Sequence, residues 1–217
     1  RVYRELTLPS VNILMAIIIT SIAVAYRHWR QPRDWGIFAI GWGLELFTAE
    51  IIGFTDNSII NLSVANIALG LVTQLLGDWW RRRVGASRFP TSLHAVPLLY
   101  GALGAALRWG VFTDWTGLGS IGISLIAIGI GRRSSELKPL VYLGLTGISI
   151  SAYELLLYQL SKSSGGAIGD GLIAMAALGT SIMYAYRVLS PWLSPYLTIS
   201  LEEIKIVAHL HWAWSSF

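Results

Sequence analysis

Seven long apolar stretches constrain what this chain can fold into more than any other feature of its sequence. A helix that crosses a bilayer needs about 20 mostly apolar residues. The stretches have or approach this length, and they cover residues 10–26, 35–54, 59–80, 93–112, 115–131, 140–160 and 168–189. Strands of a membrane barrel would be shorter and would alternate apolar and polar residues. We therefore predict an all-α, polytopic transmembrane helix bundle with seven spans.

The composition supports a membrane protein and excludes several other classes. Charged residues make up 13% of the chain, about half the share in an ordinary soluble domain. The mean hydropathy is +0.58. These values exclude a soluble domain, a disordered chain and a nucleic-acid-binding domain. Because the chain has no cysteine, disulfides, cysteine-ligated zinc, iron–sulfur clusters and thiol catalysis are also excluded.

The basic residues predict the orientation of the spans, since cytoplasmic loops carry an excess of lysine and arginine. One set of span ends carries Arg27, Arg30, Arg33, Arg81, Arg82, Arg83, Arg88, Arg132, Arg133, Lys138 and Arg187. The opposite set carries Arg1, Arg4 and Lys162. We therefore expect an integral membrane protein with its N-terminus outside and its basic loops in the cytoplasm.

The order of the stretches suggests one helix followed by three helical hairpins, each entered from the basic side. Residues 49–53 (AEIIG) and 153–157 (YELLL) hold similar places in the first and third hairpins. The period of roughly 50–55 residues lies in the range of repeated supersecondary units. We divide the chain into a seven-span domain, 1–189, and a tail, 190–217. The tail is either an interfacial segment or the start of an eighth span, and we favour the latter.

Charged residues inside the predicted spans are the strongest candidates for a functional site. Glu45, Glu50, Arg108 and Glu154 lie within the second, fourth and sixth stretches. An unpaired charge at mid-membrane costs about 2.5–3.5 kcal/mol or more, so these residues need partners or water. We predict an intramembrane charge network in which Arg108 pairs with Glu50 or Glu154. The network is a structural lock, the favoured interpretation, or an ion or proton path, or a ligand-binding site.

Small and aromatic residues predict how the helices pack. Small residues allow close approach of helix backbones in membranes, and we assign this role to Gly101, Gly104, Ala105, Gly119 and Gly122. Trp42 and Trp109 lie deeper than the other tryptophans and face a neighbouring helix, lipid or a pigment; we favour packing in the core over a cofactor role.

The sequence does not point to enzymatic or metal chemistry. His209 and His211 would face nearly opposite sides of a helix, so we expect no metal site there. Serine, aspartate and histidine form no visible hydrolase pattern, and the sequence identifies no cofactor.

The C-terminal part of the chain carries a resemblance to a known type of protein. Residues 131–159 (GRRSSELKPLVYLGLTGISISAYELLLYQ) and 200–214 (SLEEIKIVAHLHWAW) bracket a polar turn. This part resembles uncharacterised polytopic membrane proteins of cyanobacteria that are built from repeated helical hairpins. The resemblance implies a larger parent protein in a cyanobacterial plasma or thylakoid membrane, and it implies no activity.

Three functions fit these observations. We expect a non-enzymatic integral membrane module, surrounded by lipid, that belongs to a larger chain or assembly and contacts other membrane subunits. The first alternative is a transporter or a proton- or ion-conducting protein that uses Glu45, Glu50, Arg108 and Glu154. The second alternative is a seven-span membrane sensor. We expect no nucleic-acid partner.

Overall fold

The computed structural model describes residues 10–28, 33–55, 58–84, 89–163 and 168–216. Within these ranges the chain is all-helical and contains no strand, which confirms the predicted fold class. The helices are α1 (Val11–His28), α2 (Asp34–Thr55), α3 (Ile59–Val84), α4 (Ser92–Leu107), α5 (Thr116–Gly131), α6 (Pro139–Lys162), α7 (Ile168–Leu197) and α8 (Leu201–Ser216), with a short 3₁₀ turn, Ser135–Leu137, before α6. Four residues used to predict the orientation, Arg1, Arg4, Arg30 and Arg88, lie outside the described ranges.

Five of these helices, α1, α2, α3, α6 and α7, are long and apolar enough to cross a membrane. The helices α4 and α5 are apolar but have 16 residues each. At 1.5 Å per residue such a helix extends about 24 Å, less than the hydrocarbon core of about 30 Å. The chain therefore fits an integral membrane protein, while the count of seven spans is not confirmed.

The fourth apolar stretch was predicted to reach residue 112, but its helix, α4, ends five residues earlier at Leu107. After Leu107 the backbone leaves the helix at Arg108, which has φ −98° and ψ 6°. Gly110 follows with φ +77°, in the left-handed region that favours glycine. The apolar composition of residues 109–112 hid this turn, because hydropathy does not register a change of backbone direction.

The seventh helix runs past residue 189, the predicted end of its apolar stretch, and contains Pro191 and Pro195. Proline has no N–H, so Pro191 leaves the carbonyl of Arg187 without its usual helical donor. The hydroxyl of Ser190 donates to that carbonyl at 2.8 Å. This side-chain donor replaces the bond lost at Pro191, and the predicted boundary at 189 falls inside a helix that extends to Leu197.

A tight turn connects α7 to α8. Thr198 has φ +58°, and its hydroxyl donates to the carbonyl of Leu197 at 2.6 Å. Ser200 and Glu203 then form a reciprocal capping box, in which the Ser200 N–H donates to Glu203 Oε2 at 2.7 Å and the Glu203 N–H donates to Ser200 Oγ at 3.2 Å. The tail is thus an ordered helix packed on α7, although α8 is not among the five candidate spans.

The chain divides into two compact units, Arg1–Gly110 and Val111–Phe217. In the first unit α1 pairs most extensively with α2, and α3 with α4; in the second, α5 pairs with α6 and α7 with α8. These four hairpins turn at the segments near Arg33, Arg81–Arg83, Arg133 and Thr198. The pairing differs from the predicted single helix followed by three hairpins, because consecutive helices pack more closely across the other set of turns.

The two units have the same order of helix lengths. Short, long, longest and short helices follow one another in each, with 18, 22, 26 and 16 residues in the first unit and 16, 24, 30 and 16 in the second. Corresponding helices begin 105, 105, 109 and 109 residues apart. These lengths and spacings favour a repeat of a four-helix unit over the predicted hairpin of roughly 50–55 residues.

Glycines allow close helix packing within each unit. A Cβ on Gly104 of α4 would lie 2.7 Å from Ile67 Cγ1 of α3, and one on Gly144 of α6 would lie 2.7 Å from the Ser124 carbonyl of α5. Among the predicted packing residues, Gly101 and Gly122 are also buried, whereas Ala105 and Gly119 are half-buried.

Candidate functional site

Glu45 is buried in the first unit and only half of its carboxyl is hydrogen-bonded. Its side chain is 2% exposed, and Oε1 accepts a 3.0 Å hydrogen bond from Asn66 Nδ2 of α3. The same Asn66 nitrogen also donates to the carbonyl of Leu62 at 3.0 Å. Neither Glu45 Oε2 nor Asn66 Oδ1 has a hydrogen-bond partner among the described residues. Two neighbouring side chains thus each leave one buried oxygen unsatisfied.

A small cavity lies beside Glu45, between α2 and α4. Its volume is about 190 Å³, and Glu45, Phe38, Trp42, Val96 and Tyr100 contribute to its lining. The hydroxyl of Tyr100 donates to the Gly41 carbonyl at 2.5 Å, so its hydrogen is not directed to the carboxyl. The mostly apolar lining and the small volume leave room for a proton or a small molecule rather than for an organic substrate.

Glu50 lies nearer the end of α2 and has a different partner. It is 4% exposed, and its Oε2 accepts a 3.3 Å hydrogen bond from the backbone N–H of Ser10, immediately before α1. The bond joins the second helix of the first unit to the start of the first helix.

Glu154 holds a matching position in the second unit. Its Oε2 accepts a 2.5 Å hydrogen bond from the hydroxyl of Ser120 in α5. The third predicted acid is therefore also bonded to the first helix of its own unit.

Arg108 was predicted to pair with Glu50 or Glu154 inside the membrane. The structure places Arg108 at the end of α4, half-buried, where the helix stops. The acids accept hydrogen bonds from Ser10 and Ser120, and pairing with Arg108 stays a prediction.

A second polar cluster lies between α6 and α8, and the sequence did not reveal it. Ser149 Oγ lies 2.8 Å from His211 Nε2, with Ser149 2% and His211 9% exposed. The ring of Tyr186 stacks on His211 with centroids 5.6 Å apart, and its hydroxyl donates to the Leu145 carbonyl at 3.0 Å. Burial lowers the pKa of His211 below its ordinary value.

The Ser149–His211 pair joins α6 to α8. Ser149 Oγ also lies 3.2 Å from the carbonyl of Leu145. The hydrogen of the shorter contact, between Ser149 Oγ and His211 Nε2, can be donated by either group, according to the tautomer of the imidazole. Residues 62 positions apart in the chain are thereby joined, and this contact depends on α8 folding back along α6.

The same face of α8 carries an ion pair at its beginning. Glu203 Oε1 accepts hydrogen bonds from Lys138 Nζ at 2.7 Å and from the Tyr142 hydroxyl at 2.8 Å. The Lys138 ammonium, together with the Ser200 N–H and the Tyr142 hydroxyl, lowers the pKa of Glu203 to about 2. Between this ion pair and His211 lies an open groove of about 740 Å³ with a mainly apolar lining.

The two deep tryptophans do not pack in the core as predicted. Trp42 is 60% exposed and Trp109 is 89% exposed within the chain. Trp109 lies in the turn after α4, where no helix covers it, and Trp42 lies on a face of α2 between two grooves. In a membrane protein such faces meet lipid or another protein, so exposure within the chain is compatible with their apolar character.

Comparisons with family models, with curated proteins and with solved structures found no match to this chain. No group of three or more histidine, aspartate or glutamate side chains close enough to share a metal occurs in the described ranges. The sequence did not identify Asn66, the hydrogen-bond partner of Glu45, or Tyr100, which lines the same cavity. Asn66 could have been noticed as an amide in the third apolar stretch, but its alignment with Glu45 required the structure.

Proposed function

We propose that the chain is a non-enzymatic integral membrane module that contacts other membrane subunits or further parts of a larger protein. The observation that supports this proposal is the exposure of α1, of whose span only 6% is buried inside the chain. A groove of about 350 Å³ runs between α1 and α2 and is lined partly by small residues, including Ala16, Ser21 and Gly43. Small residues in such a groove favour close approach of another helix.

Sizing after gentle extraction tests this proposal. The expected particle is larger than a single 23.8 kDa chain in its detergent micelle. Ala16→Phe fills the groove and should reduce this size, whereas Ile19→Phe, on α1 but outside the groove lining, should not. A monomer in the unmodified protein, or equal behaviour of both variants, would contradict the proposed contact.

We also propose that the protein lies in a plasma or thylakoid membrane. Its basic residues favour an orientation with the N-terminus outside and the basic loops in the cytoplasm. The absence of native cysteine makes each introduced cysteine unique. Ser163→Cys lies in the predicted outer loop and Ser134→Cys in a predicted cytoplasmic loop, and both positions are exposed. An impermeant thiol reagent should label only Ser163→Cys in intact cells. Labelling of Ser134→Cys instead would reverse the topology.

A proton- or ion-conducting protein is the second candidate, and the unsatisfied Glu45 carboxyl favours it. Flux in proteoliposomes across a range of pH tests this function with wild type and the variants Glu45→Gln, Glu50→Gln and Glu154→Gln. Flux that is lost only in Glu45→Gln would support conduction through this site. Absence of flux in a correctly folded wild type would remove this candidate and leave the membrane module.

A further inference from the structure

We propose that Glu45 is a proton-binding site, occupied in the folded protein, in which the protonated carboxyl and Asn66 form a two-bond acid–amide ring. The inference concerns the carboxyl invoked for conduction but does not depend on transport. Proton binding without flux would leave it standing.

Glu45 and Asn66 share one hydrogen bond, and each has one oxygen without a partner in the part of the chain that the structure describes. Asn66 Nδ2 donates to Glu45 Oε1, while Glu45 Oε2 and Asn66 Oδ1 have no partner among the described residues. Asn66 is fully buried and Glu45 is 2% exposed, so bulk water does not satisfy either oxygen. Both orphan atoms are acceptors when the carboxyl is ionised, and two acceptors cannot bond to each other.

One proton on Glu45 would give both unbonded oxygens a hydrogen-bond partner. A carboxylic acid has an O–H donor, and an amide oxygen is a good acceptor. With the proton on Oε2, the acid can donate to Asn66 Oδ1 while it accepts from Asn66 Nδ2. Each buried oxygen then has a partner, and no net charge remains at this depth. Burying an unpaired charge there would cost about 2.5–3.5 kcal/mol or more.

The surroundings favour a proton over a metal cation. The cavity beside Glu45 is lined mostly by apolar side chains, whereas hard cations such as Ca²⁺ take six or more oxygen ligands. Tyr100 of α4 is the ionisable residue that shares the cavity. The other ionisable groups of the helices packed on α2 lie elsewhere: Tyr26, Arg27 and His28 in the last turn of α1, Asp78 and Arg81–Arg83 towards the end of α3, and His94 in the first turn of α4. On α2 itself they are Asp34 and Glu50.

The ring would connect α2 to α3, and loss of the proton would break it. The ionised carboxyl retains the bond from Asn66 Nδ2 but leaves Asn66 Oδ1 unsatisfied and adds a buried charge. Alkaline conditions should therefore loosen this helix pair. Glu45→Gln replaces the acid O–H with an amide N–H, so it can form the same two bonds without a titratable proton.

Infrared spectroscopy and thermal unfolding test the inference. The wild type should show a carbonyl band of a protonated carboxyl at neutral pH that disappears in Glu45→Gln and persists in the control Glu154→Gln. Glu45→Gln should unfold at the wild-type temperature at neutral pH and at a higher temperature than wild type at alkaline pH. Glu45→Ala, which forms neither bond, should unfold at a lower temperature at both values.

Three outcomes would overturn the inference. One is a wild-type spectrum identical to that of Glu45→Gln in the region of the protonated carboxyl. Another is equal alkaline destabilisation of wild type and Glu45→Gln. The third is a loss of the band on addition of Na⁺ at constant pH, which would identify the occupant as a cation. The first measurement does not depend on flux, so failure of conduction and failure of proton binding are distinguishable.

Discussion

Substitution of Gly144 by alanine should separate α5 from α6. A Cβ at this position would lie 2.5 Å from Ile128 Cγ1, 2.7 Å from the Ser124 carbonyl and 3.1 Å from the Ile128 amide nitrogen. Two of these atoms belong to the backbone, so a side-chain rotation cannot relieve the contact. Overpacking of this kind costs about 1–3 kcal/mol, and the short backbone contacts place this variant near the upper end.

The matched control is Gly171→Ala in α7. Its Cβ would meet only Leu160 Cδ1 at 3.9 Å, which is an ordinary contact. Alanine favours a helix over glycine by up to about 1 kcal/mol, and this gain is shared by the two variants and largely cancels in their comparison. The difference between Gly144→Ala and Gly171→Ala should therefore be about 2–3 kcal/mol.

Reversible unfolding by denaturing detergent, followed through tryptophan fluorescence, measures this difference. The expected order of stability is Gly171→Ala at or above wild type and Gly144→Ala well below it. Equal stability of the two variants would refute the inference that backbone contact at Gly144 limits the distance between the helices. A loss at Gly171→Ala alone would show that the assay reports a property of α7 instead.

Three further changes test individual contacts. The pKa of Glu203 is lowered to about 2, so the ionised carboxylate stabilises the fold fully above about pH 4.5, and this contribution is lost as the pH falls toward 2. The unfolding temperature should therefore fall at acidic pH in wild type and not in Glu203→Gln. The lowered pKa of His211 means that the unfolded chain binds this proton first, so stability should fall below about pH 6.5, and His211→Gln should weaken that dependence. Ser63→Ala removes a buried 2.6 Å hydrogen bond to the Gly104 carbonyl and should cost about 0.6–1.5 kcal/mol in unfolding experiments, whereas no change would show that another donor replaces it.

The helical class of the fold was predictable because lipid leaves few alternatives to a helix, and hydropathy located every apolar segment. The helix ends were less accessible to sequence reasoning. At Pro191 a hydroxyl on the preceding residue replaces the missing donor, and at Gly110 a left-handed residue ends an apolar stretch early. Both effects depend on local geometry rather than on composition, so a hydropathy profile overlooks them.

The sequence identified single residues of the candidate site but not the contacts between them. Glu45 was conspicuous because a carboxyl in an apolar stretch is rare and costly. Its partner Asn66 lies 21 residues away on the next helix, and nothing in either segment specifies their relative rotation. The Ser149–His211 contact was harder to predict because it requires a tight turn at Thr198, where the left-handed residue is a threonine and not a glycine.

The three acids of the predicted spans differ in their hydrogen bonds. Glu50 and Glu154 are 104 residues apart, and each accepts a hydrogen bond from a serine at the first helix of its own unit. A glutamine oxygen can accept the same bond, so we expect Glu50→Gln and Glu154→Gln to keep these two hydrogen bonds. Among the described residues Glu45 is the acid with a buried carboxyl oxygen that has no hydrogen-bond partner. A proton-dependent property should therefore follow Glu45 rather than Glu50 or Glu154.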